Sequence, residues 1–349
     1  MTNKEIDHII ACEIERMSKA SNPFLRNGYM GMCVFLFKMY EFTSDKKYYQ
    51  LAQEILTRAC DLLKKGSKVN MIDGLSGIGT SIMCFFKKGY VSGDIYKILE
   101  NIDNEIFRSI MQAIDYSNDF SIQGHEEALI DVAHYMSERV EFGHLPIAEN
   151  KIYRLFVSKL INKLYQHIDF SFYLEPIPFS YNYQLARFIL LLRKAYSAKI
   201  GRSRIIHIWG EMRSTILAQT PFYDCNKLML SYALEMMLSI IPNDVKLKEV
   251  TTNFKNNISI LHIAKEFPSN AMSMLNGVPG MIKILKKKRA HLPQAEVISL
   301  MEKLETSCYY PLKYEKVLED QFIGYNGILG FIIAYQSMKE DLAFSQRIN

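Results

Sequence analysis

Two kinds of apolar pattern alternate along this chain. Strongly apolar runs, such as residues 33–37 and 331–335, lack a polar face and are typical of buried helices. Between them lie segments that carry apolar residues on one helical face and charged residues on the other, such as residues 45–65. No run of alternating strands is found in the sequence. The pattern therefore predicts an all-α fold with a buried layer and a surface layer of helices.

A short glycine turn precedes four of the buried runs, and each copy reads Asn or Asp, Gly, two residues, Gly. Gly28 and Gly74 are 46 residues apart, and Gly277 and Gly327 are 50 apart. The stretch between Gly74 and Gly277 has room for three degenerate copies, which we expect near residues 124, 180 and 228. The four clear turns contain Asn27, Gly28 and Gly31; Asp73, Gly74 and Gly77; Asn276, Gly277 and Gly280; and Asn326, Gly327 and Gly330.

Amphipathic segments follow six of the buried runs, and the N-terminal residues 3–19 can supply a seventh. We expect this N-terminal helix to pack beside the last repeat. Seven inner and seven outer helices would then form a closed α/α toroid, with residues 1–349 in one domain. An open solenoid is the structural alternative. The six segments are residues 45–65, 94–110, 148–168, 200–217, 244–264 and 294–307.

The glycine turns have a structural explanation that requires no function. Glycine permits positive φ and close approach of the backbone, which suits a sharp turn from an outer helix into an inner one. The Asn or Asp before the first glycine is expected to cap the inner helix through its side-chain oxygen. Seven helix N-termini around one cavity would favour an anionic or carbonyl-bearing ligand.

Composition and charge indicate a soluble intracellular protein. The chain is 49% hydrophobic and 23% charged, with a net charge of +5. The longest basic run, residues 286–289, is interpreted as a solvated helix end, and no motif for nucleic-acid binding accompanies it. No apolar stretch is long enough to span a membrane, and the N-terminus lacks a secretory pattern. The six cysteines have no metal-binding or disulfide spacing, so reduced thiols in the cytoplasm are expected.

Repeated Gly-x-x-Gly turns that open the inner helices of an α/α toroid resemble the lanthionine synthetase C-like family. The period extends over nearly the whole chain, whereas the motif itself is confined to the four clear turns. Cyclases of that family hold a zinc ion with two Cys and one His, in a Trp-Cys-x-Gly turn and a Cys-His-Gly turn. The resemblance implies that the metal activates peptide cysteines for addition to dehydrated Ser or Thr.

The zinc ligands of the family are replaced in this sequence. The turn of residues 273–280 resembles one of these two turns, with Leu275 and Asn276 where Cys and His, or Cys and a neighbouring residue, would stand, and the last turn, Gly324-Tyr325-Asn326-Gly327, also lacks Cys and His. Cys225, near a degenerate turn, is the one thiol at such a place. Zinc requires three or four converging nitrogen or sulfur ligands, so no zinc or other cofactor is expected.

Other polar residues near the inner-helix starts are candidates for catalysis. The densest group is His125-Glu126-Glu127, followed on one helical face by Asp131, His134 and Glu138. Each of these residues also has a structural interpretation, as a helix cap or a hydrogen-bonded core group. The candidate catalytic residues are Asp73, His125, Glu126, Cys225 and Asp320.

Three functions follow from these observations. The first is a zinc-free, divergent member of the family that binds a peptide, or a partner enzyme, in the biosynthesis of modified peptides. The second is an active cyclase with a different site. The third is an α/α-toroid glycoside-processing enzyme, which needs two carboxylates about 5–10 Å apart.

Overall fold

The fold was analysed in a computed structural model, which describes residues 1–64, 66–115, 126–168, 179–180, 183–289, 292–307, 309–310 and 324–348. Within these ranges all regular structure is α-helical, as the apolar pattern predicts. None of the described helices is both long and apolar enough to cross a membrane. The five described cysteines are free thiols.

Seven inner helices pack side by side in a closed circuit. Each packs against the next, and the last packs against the first, which is consistent with an α/α toroid. The four clear starts and the degenerate starts predicted near residues 124 and 180 precede one of these helices by a few residues, whereas the start predicted near residue 228 lies four residues after the beginning of α10. The inner helices are α2 (Tyr29–Thr43), α4 (Leu75–Lys87), α6 (Glu126–Phe142), α8 (Gln184–Ser197), α10 (Asp224–Leu238), α13 (Val278–Lys288) and α15 (Ile328–Ile348).

The outer helices cover this circuit. They are α1 (Asn3–Ala20), α3 (Lys46–Asp61), α5 (Ile95–Asp115), α7 (Ile147–Tyr165), α9 (Arg202–Leu217), α11 (Val245–Asn257), α12 (Ile260–Glu266) and α14 (Gln294–Glu305). Helices α3, α5, α7, α9 and α11 each pack on the inner helix before them, whereas α14 packs on α15.

The single helix predicted for residues 244–264 is wrong, because the segment forms α11 and the short α12. The chain is extended at Ile258, and the Ser259 hydroxyl then caps α12 by accepting from the backbone N–H of His262. The Ser259 N–H donates to the Asp224 carboxylate at 3.3 Å. A serine that satisfies backbone groups at a helix start competes with helix continuation, and it divides the segment here.

Helix α1 joins the two ends of the chain. The backbone N–H of Gly324, just before α15, donates to Glu13 Oε2 at 3.2 Å. At its N-terminal end, Asp7 pairs with Lys47 of α3 at 2.8 Å. The first helix therefore bridges the last and first repeats, as expected for the seventh outer helix.

The Gly-x-x-Gly spacing is explained by backbone packing. In the first three clear turns, a Cβ added to the first glycine would lie 2.3–2.5 Å from the carbonyl oxygen of the residue six positions earlier. A Cβ added to the second glycine would lie 1.7–2.1 Å from the carbonyl oxygen six positions before that glycine. Gly28, Gly74 and Gly277 have extended φ angles between −130° and −153°. These glycines are thus needed for close approach and not for positive φ. Positive φ occurs instead at Gly324, before the last turn.

Backbone hydrogen bonds link the turns to one another. The N–H of Met274 donates to the carbonyl oxygen of Asn326 at 2.8 Å. The N–H of Asn326 donates to the carbonyl oxygen of Arg26 at 3.1 Å. The N–H of Arg26 in turn donates to the carbonyl of Ile72 at 3.1 Å. Four turns from the two ends of the chain therefore form one hydrogen-bonded series.

The predicted side-chain caps are wrong for the first three clear turns. The N-cap residues are Gly28, Gly74 and Gly277 themselves, and none has a side-chain cap. The first N–H of each helix donates instead to the carbonyl seven residues earlier, for example from Leu75 to Lys68 at 2.9 Å. The loop backbone thus satisfies a donor that a capping side chain would otherwise satisfy.

Ion pairs connect the opposite ends of the inner helices. Glu138 of α6 accepts from Lys87 of α4 at 2.9 Å and from Lys194 of α8 at 3.0 Å. On α13, Lys286 pairs with Asp341 of α15 at 2.6 Å, and Lys288 pairs with Glu235 of α10 at 2.8 Å. Residues 286–288 form the last turn of α13, so the predicted helix end is confirmed, but Lys286 and Lys288 are not simply solvated, because successive lysines of a helix point to different neighbours.

We expect Gly77→Ala to destabilise the fold, because its Cβ would lie 1.7 Å from the carbonyl oxygen of Met71. Overpacking of this kind costs about 1–3 kcal/mol or more in the free energy of unfolding, which denaturant titration measures. Gly210→Ala in α9 is the matched control, since its Cβ would meet no atom within 4 Å. The control should be neutral or stabilising by up to about 1 kcal/mol. Equal effects of the two changes would contradict this explanation of the turn.

Candidate functional site

The inner helices enclose a cavity beside the glycine turns. Its volume is about 320 Å³, and a second volume of about 460 Å³ adjoins it. The two share Lys38, Glu41, Lys283, Lys287 and Tyr325, so we treat them as one central cavity. Apolar and aromatic residues form much of the wall of the first volume. Pockets of this composition, with a few polar groups, are typical binding sites for ligands.

The repeat places the lining residues in layers. Gly28, Gly74, Gly277 and Gly327 are each followed ten positions later by a residue that lines the cavity: Lys38, Cys84, Lys287 and Ser337. Six positions after the same glycines, the lining residues are Val34, Thr80, Lys283 and Ile333. Equal helical offsets from equivalent turns give equal depth and similar direction. The residues that line the cavity can therefore be predicted from their offset from the turn glycines, although they are not among the site residues predicted above.

The positions of the family's zinc ligands lie together at one part of this cavity. Leu275, Tyr325 and Asn326 all line it. Asn326 Oδ1 accepts a hydrogen bond from the backbone N–H of Leu275 at 3.0 Å. The ring of Tyr325 lies 5.8 Å from the Lys283 ammonium, a cation–π distance. The positions that would hold the family's zinc ligands therefore converge on the cavity, but different side chains occupy them.

This set of side chains does not fit zinc. Leucine has no donor atom, and the amide oxygen of Asn326 is already bonded to Leu275. Zinc sites in proteins use thiolate, imidazole or carboxylate ligands in groups of three or four. Among the described residues, no group of three or more His, Cys, Asp or Glu side chains could hold a metal ion.

Cys225 is a core residue. Its side chain is fully buried, and its sulfur accepts from the backbone N–H of Phe179 at 3.2 Å. Burial raises the pKa of this thiol well above its usual value, and the Glu266 carboxylate adds to the effect. The thiol is therefore protonated at neutral pH, and the geometry does not support a catalytic role.

Of the other candidate catalytic residues, the structure describes Asp73 and Glu126. Asp73 pairs with Arg26 at 3.0 Å, and its own N–H donates to Asn70 Oδ1, so it is bound within the turns. Glu126 is the first residue of α6 and is partly exposed. His125 and Asp320 lie outside the described residues, as does the Glu175–Pro178 segment.

The Asp131, His134 and Glu138 cluster holds helices together. Asp131 pairs with Arg187 of α8 and also accepts from the backbone N–H of Met71 at 2.8 Å. His134 Nε2 lies 3.0 Å from the carbonyl oxygen of Arg187. Burial, followed by the charge of Arg187, lowers the pKa of His134 to about 3. A histidine that stays neutral throughout the physiological range cannot exchange protons in catalysis there.

Lys287 is the most unusual group in the cavity. Water reaches its side chain, yet the surrounding protein disfavours its charge. Burial and then the charges of Lys283 and Lys194 lower the pKa of Lys287 to about 8. Lys38, Lys283 and Lys287 are not among the residues predicted from the sequence, because the candidates were sought at the helix starts and these lysines lie at later positions of the same repeats.

The comparison with known families agrees with the resemblance of the turns. The model of the family described as "Lanthionine synthetase C-like protein" matches residues 20–129. This span contains the first two glycine turns and helices α2 to α5. The match supports membership of the chain in the lanthionine synthetase C-like family. No curated protein matches the chain.

Restoring the family's ligands should restore a metal site. We expect the triple variant Leu275→Cys, Tyr325→Cys and Asn326→His to bind about one zinc ion per chain, because three ligands at this place suffice for an open site. Elemental analysis after dialysis measures the zinc bound per chain. The unchanged protein should hold no stoichiometric zinc. The single variant Leu275→Cys is the control and should also lack zinc. Stoichiometric zinc in the unchanged protein would contradict the assignment.

Proposed function

We propose that the protein is a zinc-free, peptide-binding component of modified-peptide biosynthesis, and that a peptide segment enters the central cavity. One observation carries the proposal: the family's ligand positions converge on a cavity, but Leu275, Tyr325 and Asn326 occupy them. Such a site has lost the donors for thiol activation and has kept a concave wall. Binding without zinc chemistry is the function that these residues support best.

The wall is suited to a peptide. Phe85, Tyr90 and Ile284 supply apolar and aromatic surface, while Thr80 supplies a hydroxyl group. Peptide-binding sites combine buried aromatic contact with a few polar groups that fix direction. The cavity is also open to solvent water, so an extended segment can enter without unfolding the ring.

Photocrosslinking tests this proposal. A benzoylphenylalanine residue introduced in place of Thr80, in the cavity wall, should crosslink to a precursor peptide encoded beside the gene. The same residue in place of Leu155, an exposed position on the outer helix α7, is the control and should give no crosslink. Mass spectrometry identifies the products. A locus without a precursor-peptide gene, or equal crosslinking from both positions, would overturn the proposal.

The active cyclase is distinguished by its product. A dehydrated precursor peptide should be recovered unchanged after incubation with the purified protein, because the side chains at the family's ligand positions do not fit a thiol-activating zinc ion. Formation of thioether rings, resistant to chelators, would favour the cyclase with a different site over a binding protein.

A glycoside-processing enzyme is a second candidate, and one observation favours it. Glu41 and Glu340 both line the second volume of the cavity. Lys38 and Lys88 outweigh the effect of burial and lower the pKa of Glu41, whereas burial raises the pKa of Glu340. Opposite shifts in two nearby carboxyl groups are typical of acid–base pairs. Glu41 and Glu340 are not the acidic residues that the sequence offered as catalytic candidates, which were Asp73, Glu126 and Asp320.

This candidate predicts hydrolysis that depends on the acid. Release of nitrophenol from a panel of nitrophenyl glycosides should be lost in Glu340→Gln, because the amide cannot protonate a leaving group. Glu302→Gln, on the outer helix α14, is the control. Absence of hydrolysis by the unchanged protein across the panel would eliminate this candidate.

A further inference from the structure

The central cavity carries an excess of positive charge. The charged residues that line its first volume are five cations and one acid: Arg26, Lys38, Lys88, Lys283 and Lys287, with Glu41. A concave wall of one sign concentrates counter-ions inside it. Several of these cations already have an acidic partner within the fold.

Arg26, Lys38 and Lys88 are each engaged in an ion pair within the protein. Glu41 pairs with Lys38 at 2.5 Å and also with Lys88. Arg26 pairs with Asp73 at 3.0 Å. Lys38 and Glu41 lie on the same helix, α2, whereas Lys88 and Arg26 each pair across to a neighbouring helix or turn, so two carboxylates offset part of the charge of three cations.

Lys287 differs from them. Within the described residues it has no hydrogen bond and no ion pair, although its neighbours Lys286 and Lys288 each pair with an acid on another helix. Its position ten residues after Gly277 directs it into the cavity and not toward α10 or α15. Lys283, one turn earlier on the same helix, lines both volumes beside it.

The charged groups around Lys287 do not neutralise it. Those that act on it most directly are Lys283, Lys194 of α8 and Glu138 of α6, and Glu138 is shared between Lys194 and Lys87. The others that line the cavity or pack around α13 are Arg26 before α2, Lys38 and Glu41 of α2, Lys88 after α4, Lys286 and Lys288 of α13 itself, Glu235 of α10, and Glu340 and Asp341 of α15. Glu41, Glu235 and Asp341 are paired with other lysines, and burial raises the pKa of Glu340, which disfavours its charged form.

We propose that the cavity binds an oxyanion, a carboxylate or a phosphate group, through Lys287 with Lys283 beside it. An ammonium group within a cavity gains most from a charge-assisted hydrogen bond when the ligand brings the missing negative charge. The hydroxyl of Ser337, in the same layer as Lys287, lines the adjoining volume and is a neutral donor. This inference concerns the anion and stands whether or not the ligand is a peptide.

Anion binding and protonation of Lys287 are linked. The pKa of the free amine is lowered to about 8, so the ammonium form decreases as pH rises through this value. A bound anion favours the ammonium form and must raise that pKa. Affinity should therefore be highest below pH 8 and fall above it, while binding near pH 8 takes up protons.

Calorimetric titration with inorganic phosphate and, separately, with acetate tests the proposal. At pH 7 one of the two should bind, and Lys287→Met should weaken that binding about tenfold or more, the loss expected for a charge-assisted hydrogen bond. Lys246→Met, an exposed lysine on the outer helix α11, is the charge-matched control and should leave affinity unchanged. Tighter binding of phosphate would identify a phosphoryl ligand, and tighter binding of acetate would identify a carboxylate.

A second measurement separates binding at Lys287 from a general effect of charge. After reductive ¹³C-methylation, the NMR signal missing in Lys287→Met belongs to this residue, and the anion should raise its pKa. Equal affinity in Lys287→Met and Lys246→Met, no binding of either anion, or an unchanged pKa in the presence of bound anion would overturn the proposal. Crosslinking of a peptide at position 80 could persist in that case, so the two proposals fail separately.

Discussion

Loop carbonyl groups occupy the space beside the turn glycines that a Cβ would fill, and the ring depends on this contact. At Gly77 the carbonyl of Met71 would lie 1.7 Å from an added Cβ, so no larger side chain is accommodated without a shift of the backbone. The same loops place Arg26, Met274 and Asn326 where their backbone groups bond to one another. The contact that fixes the entry into each inner helix therefore also brings the helix starts together.

The two ends of the inner helices are held by different interactions. Backbone hydrogen bonds join the turns, whereas ion pairs such as Lys87–Glu138 and Lys286–Asp341 join the opposite ends. Cations near helix C-termini are also favoured by the helix dipole. Since more lysines than acids face the axis, this arrangement leaves the cavity positively charged.

The scaffold and the chemistry of the site have separate requirements. Gly277 and Gly280 are needed where the backbone packs closely, since an added Cβ would lie 2.3 Å and 2.1 Å, respectively, from a loop carbonyl oxygen. Leu275 and Tyr325 line the cavity, so these side chains can differ from the family's ligands while the glycine turns are kept. This is the physical reason why a family resemblance carried by the turns supports the fold without establishing the activity.

The helical layers, the seven repeats and most starts of the inner helices could be predicted from the residue pattern, because helical periodicity and close backbone approach are local demands. The roles of individual side chains depended on tertiary packing. Cys225 is near a turn in sequence, yet it is buried and protonated. Lys287 stands in a basic run whose members look alike, and only the packing around α13 shows that Lys286 and Lys288 pair with acids on other helices while Lys287 lines the cavity. Partners distant in sequence, such as Lys194 for Glu138, set charge and pKa, and no local pattern records them.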